Sequence, residues 1–237
     1  FHGGDLKGLT GNCEKGDKGL ARIKNLGFTA VWLTPLVGQQ QASKSGAGYH
    51  GYWGVDFLNV DPHLGTNEDL SALSACAKKL GIKLILDVVT NHTGDVISSF
   101  DKTASIPAGK ESAKNPAWLN DLNNYHNVGD MSRCWGEGSC TQLGDFYGLD
   151  DLATEKEVVY KGWTDVYGQW IKKYGFVGFR VDTARHVDND FFKNWSPGIN
   201  QQAAEVGINN FTTFGEVWDI NPINLVGYID RKSTRLN

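Results

Sequence analysis

Four short apolar runs, each preceded by a helical pattern, constrain what this 237-residue chain can fold into. Leu20, Ile23 and Leu26 share one helical face and Gly27 closes it, before a strand over residues 29–33. Thr66-x-x-Asp69 reads as a capping box for a helix along Leu70, Leu73, Ala77 and Leu80, which Gly81 stops ahead of a strand over 83–89. Thr154-x-x-Glu157 reads as a second capping box, for a wide apolar face from Val158 to Tyr174, closed by Gly175 ahead of a strand over 176–181. Asp188 caps a helix through Phe191, Phe192 and Trp195, Pro197 breaks it, and residues 211–214 form the last strand. Helix and strand in alternation predict an α/β fold with a parallel sheet and crossover helices.

The spacing is uneven. Asp182 to Glu216 is 34 residues, the length of one strand–helix–strand unit, whereas Asp87 to Asp182 is 95. The excess, residues 91–150, is polar, rich in Gly, Asn and Asp, and weakly periodic, so it reads as an inserted lobe at the carboxyl end of a strand. Residues 36–65 read as one long loop. It carries Tyr49-His50-Gly51-Tyr52-Trp53, aromatics set among glycines, where rings can stack on the apolar face of a sugar or anchor the loop. The net charge of −4 gives no case for nucleic acid or acidic membrane partners. No apolar run approaches the ~20 residues of a membrane span. Of the four cysteines, Cys76 lies in a helical pattern and reads as core, and Cys134 and Cys140 flank a Gly-rich loop and can pair if the protein is exported.

Polar residues close the strands. Arg180 and Asp182 lie two apart, on one face of a strand, so the arginine keeps the aspartate ionised and oriented. That pattern suits a carboxylate nucleophile and suits a structural ion pair equally. Two further strands end in Asn91-His92 and in Gly215-Glu216.

Asp87 to His92, Gly178 to His186 and Gly215 to Val217 resemble the patterns D-V-V-x-N-H, G-x-R-x-D-x-x-K/R-H and G-E-V of the α-amylase family, glycoside hydrolase family 13, in the family's order. The resemblance covers residues 1–219. It implies a (β/α)8 TIM barrel of which the first half is present, with residues 1–90 carrying barrel strands 2–3, residues 91–150 the inserted domain B after the third strand, and residues 151–230 strands 4–5. It implies a retaining hydrolase of internal α-1,4-glucosidic bonds in starch, glycogen or maltodextrins. Asp182 would be the nucleophile, oriented by Arg180, and Glu216 the general acid and base, with Phe214, Val217 and Trp218 as apolar neighbours. Neighbouring parallel strands lie about 4.8 Å apart, close to the ~5 Å between the carboxyl groups of a retaining glycosidase. His50, Tyr52, Trp53, His92, Arg185 and His186 would line the sugar site.

The resemblance also implies a structural calcium, held by Asn91, Asp145, Asp151 and the main-chain oxygen of His186, with Glu137 a weaker candidate. The α-glucan is the expected partner, the complete protein a monomer, and the compartment extracellular or periplasmic. The family's third carboxylate, in an N-H-D run, has no counterpart after Glu216, and residues 231–237 match nothing and read as a non-native tail. A fragment truncated at both ends and poorly active is therefore expected. A transglycosylating relative shares the same residues, and a non-catalytic binding or transporter-partner subunit shares the fold.

Overall fold

The computed structural model describes residues 4–42, 46–131 and 140–219, with Asn221, Leu225 and Tyr228. Cys134, Glu137 and the tail 231–237 lie outside the described residues. Short helices α1 (Leu6–Thr10) and α2 (Gly19–Asn25) lead into β1 (Ala30–Leu33). Strands β2 (Val37–Gln39) and β3 (Gly54–Val60) form an antiparallel hairpin, and α3 (Asn67–Leu80) returns to β4 (Lys83–Val88). The connection from β4 carries β5 (His92–Thr93), a second hairpin of β6 (Ser98–Phe100) and β7 (Thr103–Ser105), two 3-10 turns, α4 (Cys140–Leu143) and β8 (Asp150–Asp151). Then come α5 (Glu157–Tyr174), β9 (Gly178–Val181), α6 (Asn189–Ala204) and β10 (Thr212–Gly215).

Strands β1, β4, β9 and β10 form one parallel sheet in that order, so consecutive strands of the sheet are neighbours in space. Among the described residues this sheet is open and does not close into a barrel. The aromatic faces of α5 and α6 cover it. Tyr167 meets Phe179 of β9 at 5.6 Å between ring centroids, and Phe179 stacks on Trp195 at 6.1 Å. Trp163, Tyr167, Phe179, Phe191 and Trp195 are buried in one apolar cluster with Leu84, Leu86 and Val181 of the strands. Each large aromatic so placed removes some 150–250 Å² from water. Gly178 of β9 faces Thr212 of β10, and a Cβ there would lie 2.6 Å from the Thr212 carbonyl oxygen. The two strands approach at a distance that only glycine permits.

Local expectations met mixed outcomes. Thr66 and Asp69 form the expected reciprocal capping box, and Gly81 and Gly175 close α3 and α5 in the left-handed conformation. Thr154 does not cap α5. The cap is Lys156, and the Thr154 hydroxyl accepts instead from the Asp188 backbone N–H at 3.0 Å. Pro197 sits inside an unbroken α6, because Phe191, Phe192, Trp195, Ile199 and Ala203 bury one continuous face whose packing outweighs one lost backbone bond. Leu26 is 65% exposed, since α2 ends at Asn25 before its apolar face reaches that residue. The supposed loop 36–65 contains the β2–β3 hairpin. Cys76 is buried but is not a free core thiol, because it pairs with Cys13. Cys140 is also disulfide-bonded.

Candidate functional site

The carboxyl ends of the parallel strands converge on one guanidinium. Arg180 of β9 stands opposite Asp87 of β4, and its Nη1 donates to Asp87 Oδ1 at 2.9 Å, to Asp87 Oδ2 at 3.1 Å and to Asp182 Oδ1 at 2.7 Å. Its Nη2 lies 3.0 Å from Glu216 Oε1. The pairing of Gly215 with Val181 brings Glu216 beside Asp182, and the Thr183 backbone N–H donates to Glu216 Oε2 at 3.1 Å. One cation thus serves three carboxylates. The Asp87 side chain is fully buried and that of Asp182 nearly so, whereas 40% of the Glu216 side chain faces solvent.

This imbalance of charge sets the titration. Burial pushes Asp182 up to about 7, and Glu216 and Asp87 add to the push, against the pull of Arg180. The pairing with Arg180 alone was expected to keep Asp182 ionised. The guanidinium is shared, so it does not outweigh the burial. Asp87 is raised by burial too, in spite of Arg180, Tyr52 and Trp32. Arg180 itself, against its own burial, is pushed further up by Asp87, Asp182 and Glu216.

Asp87 opens the D-V-V-x-N-H motif, and the motif alone gives it no task. It accepts from Arg180, from the Tyr52 hydroxyl at 3.0 Å and from Trp32 Nε1 at 3.1 Å, and so anchors the aromatic loop and β1 to the guanidinium. Trp32 and Tyr52 in turn lie against Arg180, 5.5 and 6.0 Å from ring centroid to guanidinium. A polar strand-end residue on each neighbouring strand was the signal that could have found this hub.

The expected sugar-site residues gather in two groups. His50 stacks on Tyr52 at 5.7 Å and meets Trp53 edge-on at 5.0 Å, and its Nδ1 accepts from the Tyr52 backbone N–H. Beside them Tyr49 is 77% exposed, at the rim of a cavity of about 600 Å³. In the second group, the Arg185 Nη1 donates to the Trp218 carbonyl at 2.8 Å, and His186 Nδ1 lies 2.9 Å from the Thr141 carbonyl. Trp218, 74% exposed, projects from the segment after Glu216. His92 behaves differently from expectation. It is buried, with Nε2 3.2 Å from the Tyr52 carbonyl and Nδ1 3.3 Å from Asn91 Nδ2, so both ring nitrogens face protein. Burial depresses its pKa to about 4.

The expected calcium ligands divide. Strands β5 and β8 pair His92 with Asp151, and the Leu152 N–H donates to the Asn91 carbonyl, which sets Asn91 and Asp151 side by side. Asn91 Oδ1 and Asp151 Oδ1 are both buried without a hydrogen-bond partner. Two orphaned oxygens on neighbouring backbone segments, one of them on a carboxylate, fit a hard cation that takes oxygen ligands. Burial pushes Asp151 up to about 7, while its Oδ2 lies 2.5 Å from His126 Nδ1. Asp145 does not fit as well. Its Oδ1 accepts from the Asp151 N–H at 3.1 Å and its Oδ2 from the Ser99 hydroxyl, so both oxygens are already in use. Among the described residues no three His, Cys, Asp or Glu side chains cluster as a metal site.

Comparison with known proteins extends these observations. The family model for the alpha amylase catalytic domain matches residues 2–233. The alpha-amylase of Streptomyces lividans is 37% identical over 97% of this chain, which spans 29% of that protein's length. The crystal structure of alpha-amylase from Geobacillus thermoleovorans complexed with acarbose matches with a TM-score of 0.73 and 34% identity, covering 96% of this chain and 44% of that one. The cyclomaltodextrin glucanotransferase CldA matches with a TM-score of 0.76 and 28% identity, covering 98% of this chain and 47% of that one.

Proposed function

Because the chain belongs to the alpha-amylase family, matched by its catalytic-domain model over residues 2–233, we propose that it carries the nucleophile and the general acid and base of a retaining α-1,4-glucan hydrolase. The observation that supports this most is the placement of Asp182 and Glu216 at the ends of paired strands, both within hydrogen-bond distance of Arg180. In the first step the Asp182 carboxylate attacks the anomeric carbon, the glycosidic C–O bond breaks, and Glu216 gives its proton to the departing oxygen. Water then attacks the same carbon, the bond to Asp182 breaks, and Glu216 takes the water's proton. Glu216 is exposed enough to reach the leaving oxygen, and Arg180 holds Asp182 oriented.

Residues 1–90 and 151–230 are proposed as barrel wall and 91–150 as the lobe that covers its carboxyl end. Calcium would be held by Asn91 and Asp151, with the main-chain oxygen of His186 as a further ligand. When bound it supplies positive charge that ties the lobe to the barrel. The disulfides at Cys13–Cys76 and at Cys140 favour an exported protein. A second reading, glucan transfer in place of hydrolysis, is favoured by the likeness to CldA.

Maltoheptaose turnover in ¹⁸O water separates these readings. Hydrolysis puts ¹⁸O into new reducing ends that form first as the α-anomer, and transfer yields longer or cyclic products without label. Asp182→Asn is expected to lower either rate at least about a thousandfold. Equal and measurable turnover by wild type and Asp182→Asn would remove Asp182 from the nucleophile's role.

A further inference from the structure

Thr183 follows Asp182 and carries two local penalties at once. Its φ is 46°, in the left-handed region that a β-branched residue rarely adopts. Its buried hydroxyl finds no hydrogen-bond partner among the described residues. Neither feature is explained by the side chain. The residue does make one backbone contact into the site, where its N–H donates to Glu216 Oε2 at 3.1 Å.

The main chain around Thr183 is pinned on both sides. Strand β9 ends at Val181, and the next N–H, that of Asp182, still donates to the Val88 carbonyl of β4 at 2.9 Å. The Glu216 N–H donates to the Val181 carbonyl at 2.8 Å, which carries the parallel ladder one residue past β10. One more rung would take the Thr183 N–H to the Glu216 carbonyl. Instead Thr183 turns the chain off the sheet, and its carbonyl accepts from the His186 N–H at 2.8 Å. The Thr183 N–H is left for the Glu216 side chain.

Glu216 then has a donor on each oxygen, with Arg180 Nη2 3.0 Å from Oε1 and the Thr183 N–H on Oε2. Arg180 sits at the end of a long side chain and is shared with Asp87 and Asp182, whereas a backbone N–H has a fixed direction. Two donors on two oxygens set the plane of the carboxyl group, and that plane decides where its proton points. We infer that Thr183 is a positioning residue for the general acid: the left-handed turn presents its backbone N–H to Glu216 Oε2 and so aims the carboxyl proton at the leaving oxygen. The unfavourable φ persists because the main-chain bonds on either side over-determine it. The inference rests on the function proposed above.

The test removes that N–H alone. In the 237-residue chain the amide between Asp182 and Thr183 is replaced by an ester, through the α-hydroxy acid counterpart of threonine, and folding is checked by circular dichroism. Maltoheptaose needs its leaving oxygen protonated, whereas α-maltotriosyl fluoride loses fluoride, which departs without a proton. The two are compared by kcat/KM, which reads events only through the first bond cleavage. The ester is expected to slow maltoheptaose about tenfold to a hundredfold and the fluoride less than about twofold. Equal slowing of both substrates would mark a merely structural role and overturn the inference, as would an ester chain as fast as wild type on maltoheptaose. A second measurement needs neither the ester nor turnover. In ¹H–¹⁵N spectra of the native backbone, Glu216→Gln should move the Thr183 amide signal upfield by more than any other amide of residues 178–187, and an unmoved Thr183 signal would overturn the inference. Failure of the wild-type chain to cleave either substrate strikes the function proposed above, whereas the amide signal still decides whether Thr183 holds Glu216.

Discussion

The packing behind the sheet and the Lys114–Asp150 pair of the β4–α5 connection hold the molecule by opposite means. Behind the sheet, Trp163, Tyr167, Phe179, Phe191 and Trp195 pack ring on ring with no charge among them. In the connection, the Lys114 and Asp150 side chains are 1% and 2% exposed and lie 2.5 Å apart. Lys114 also donates to the Tyr125 hydroxyl at 2.9 Å, and Asp150 accepts from the Val96 and Ile97 N–H groups. Burial lowers the Lys114 pKa and pushes Asp150 up to about 6, against their mutual attraction. Apolar packing degrades a little at a time. A buried ion pair fails at once, because losing one partner strands the other.

The largest expected effect tests that contrast directly. Lys114→Met leaves Asp150 buried without its cation, at a cost of about 3–5 kcal/mol. Hydrogen exchange should then rise across residues 95–131 before it rises in α5 or β9. The double variant Lys114→Met/Asp150→Leu should recover more than half, and no recovery would mean that packing, and not charge, holds the connection. The covalent tie comes next. Cys13 and Cys76 are 63 residues apart, and replacing both by serine should cost about 2–4 kcal/mol in thermal unfolding.

Asp182 gives an effect spread over several pH units, with a definite sign. Its folded pKa of about 7 lies above the unfolded value, so the native state keeps a proton that the unfolded chain has released. Stability contributed by this group is therefore complete below about pH 4 and is lost as pH rises toward 7, at up to about 1.4 kcal/mol per pH unit. Asp182→Asn should flatten that slope in urea titrations between those pH values, and an unchanged slope would show that Arg180 keeps Asp182 ionised after all. The smallest effect belongs to the apolar side of the contrast. Ile199→Val in α6 should cost only about 0.5–1.5 kcal/mol, with exchange unchanged in the connection.

The same contrast explains what the sequence made legible. Each sheet strand announced itself as an apolar run after a helical period, and each polar strand end pointed at the guanidinium, because periodicity and burial are local signals. Lys114 and Asp150 are 36 residues apart, and nothing local marks either as half of a pair. Cys13 and Cys76 escaped for the same reason. The hairpin of β2 and β3 escaped because β2 is three residues long and contains Gly38. Pro197 misled because its local penalty was legible and the buried face around it was not.

Gly178 carries no chemistry, yet it acts as the gauge that sets the separation of the two carboxylates. Any added carbon there meets the Thr212 carbonyl and wedges β10 away from β9, taking Glu216 with it. A survey of tolerated codons should therefore find this position nearly as closed as those of Asp182 and Glu216. Selection for a reaction would be recorded at a residue that never meets the substrate.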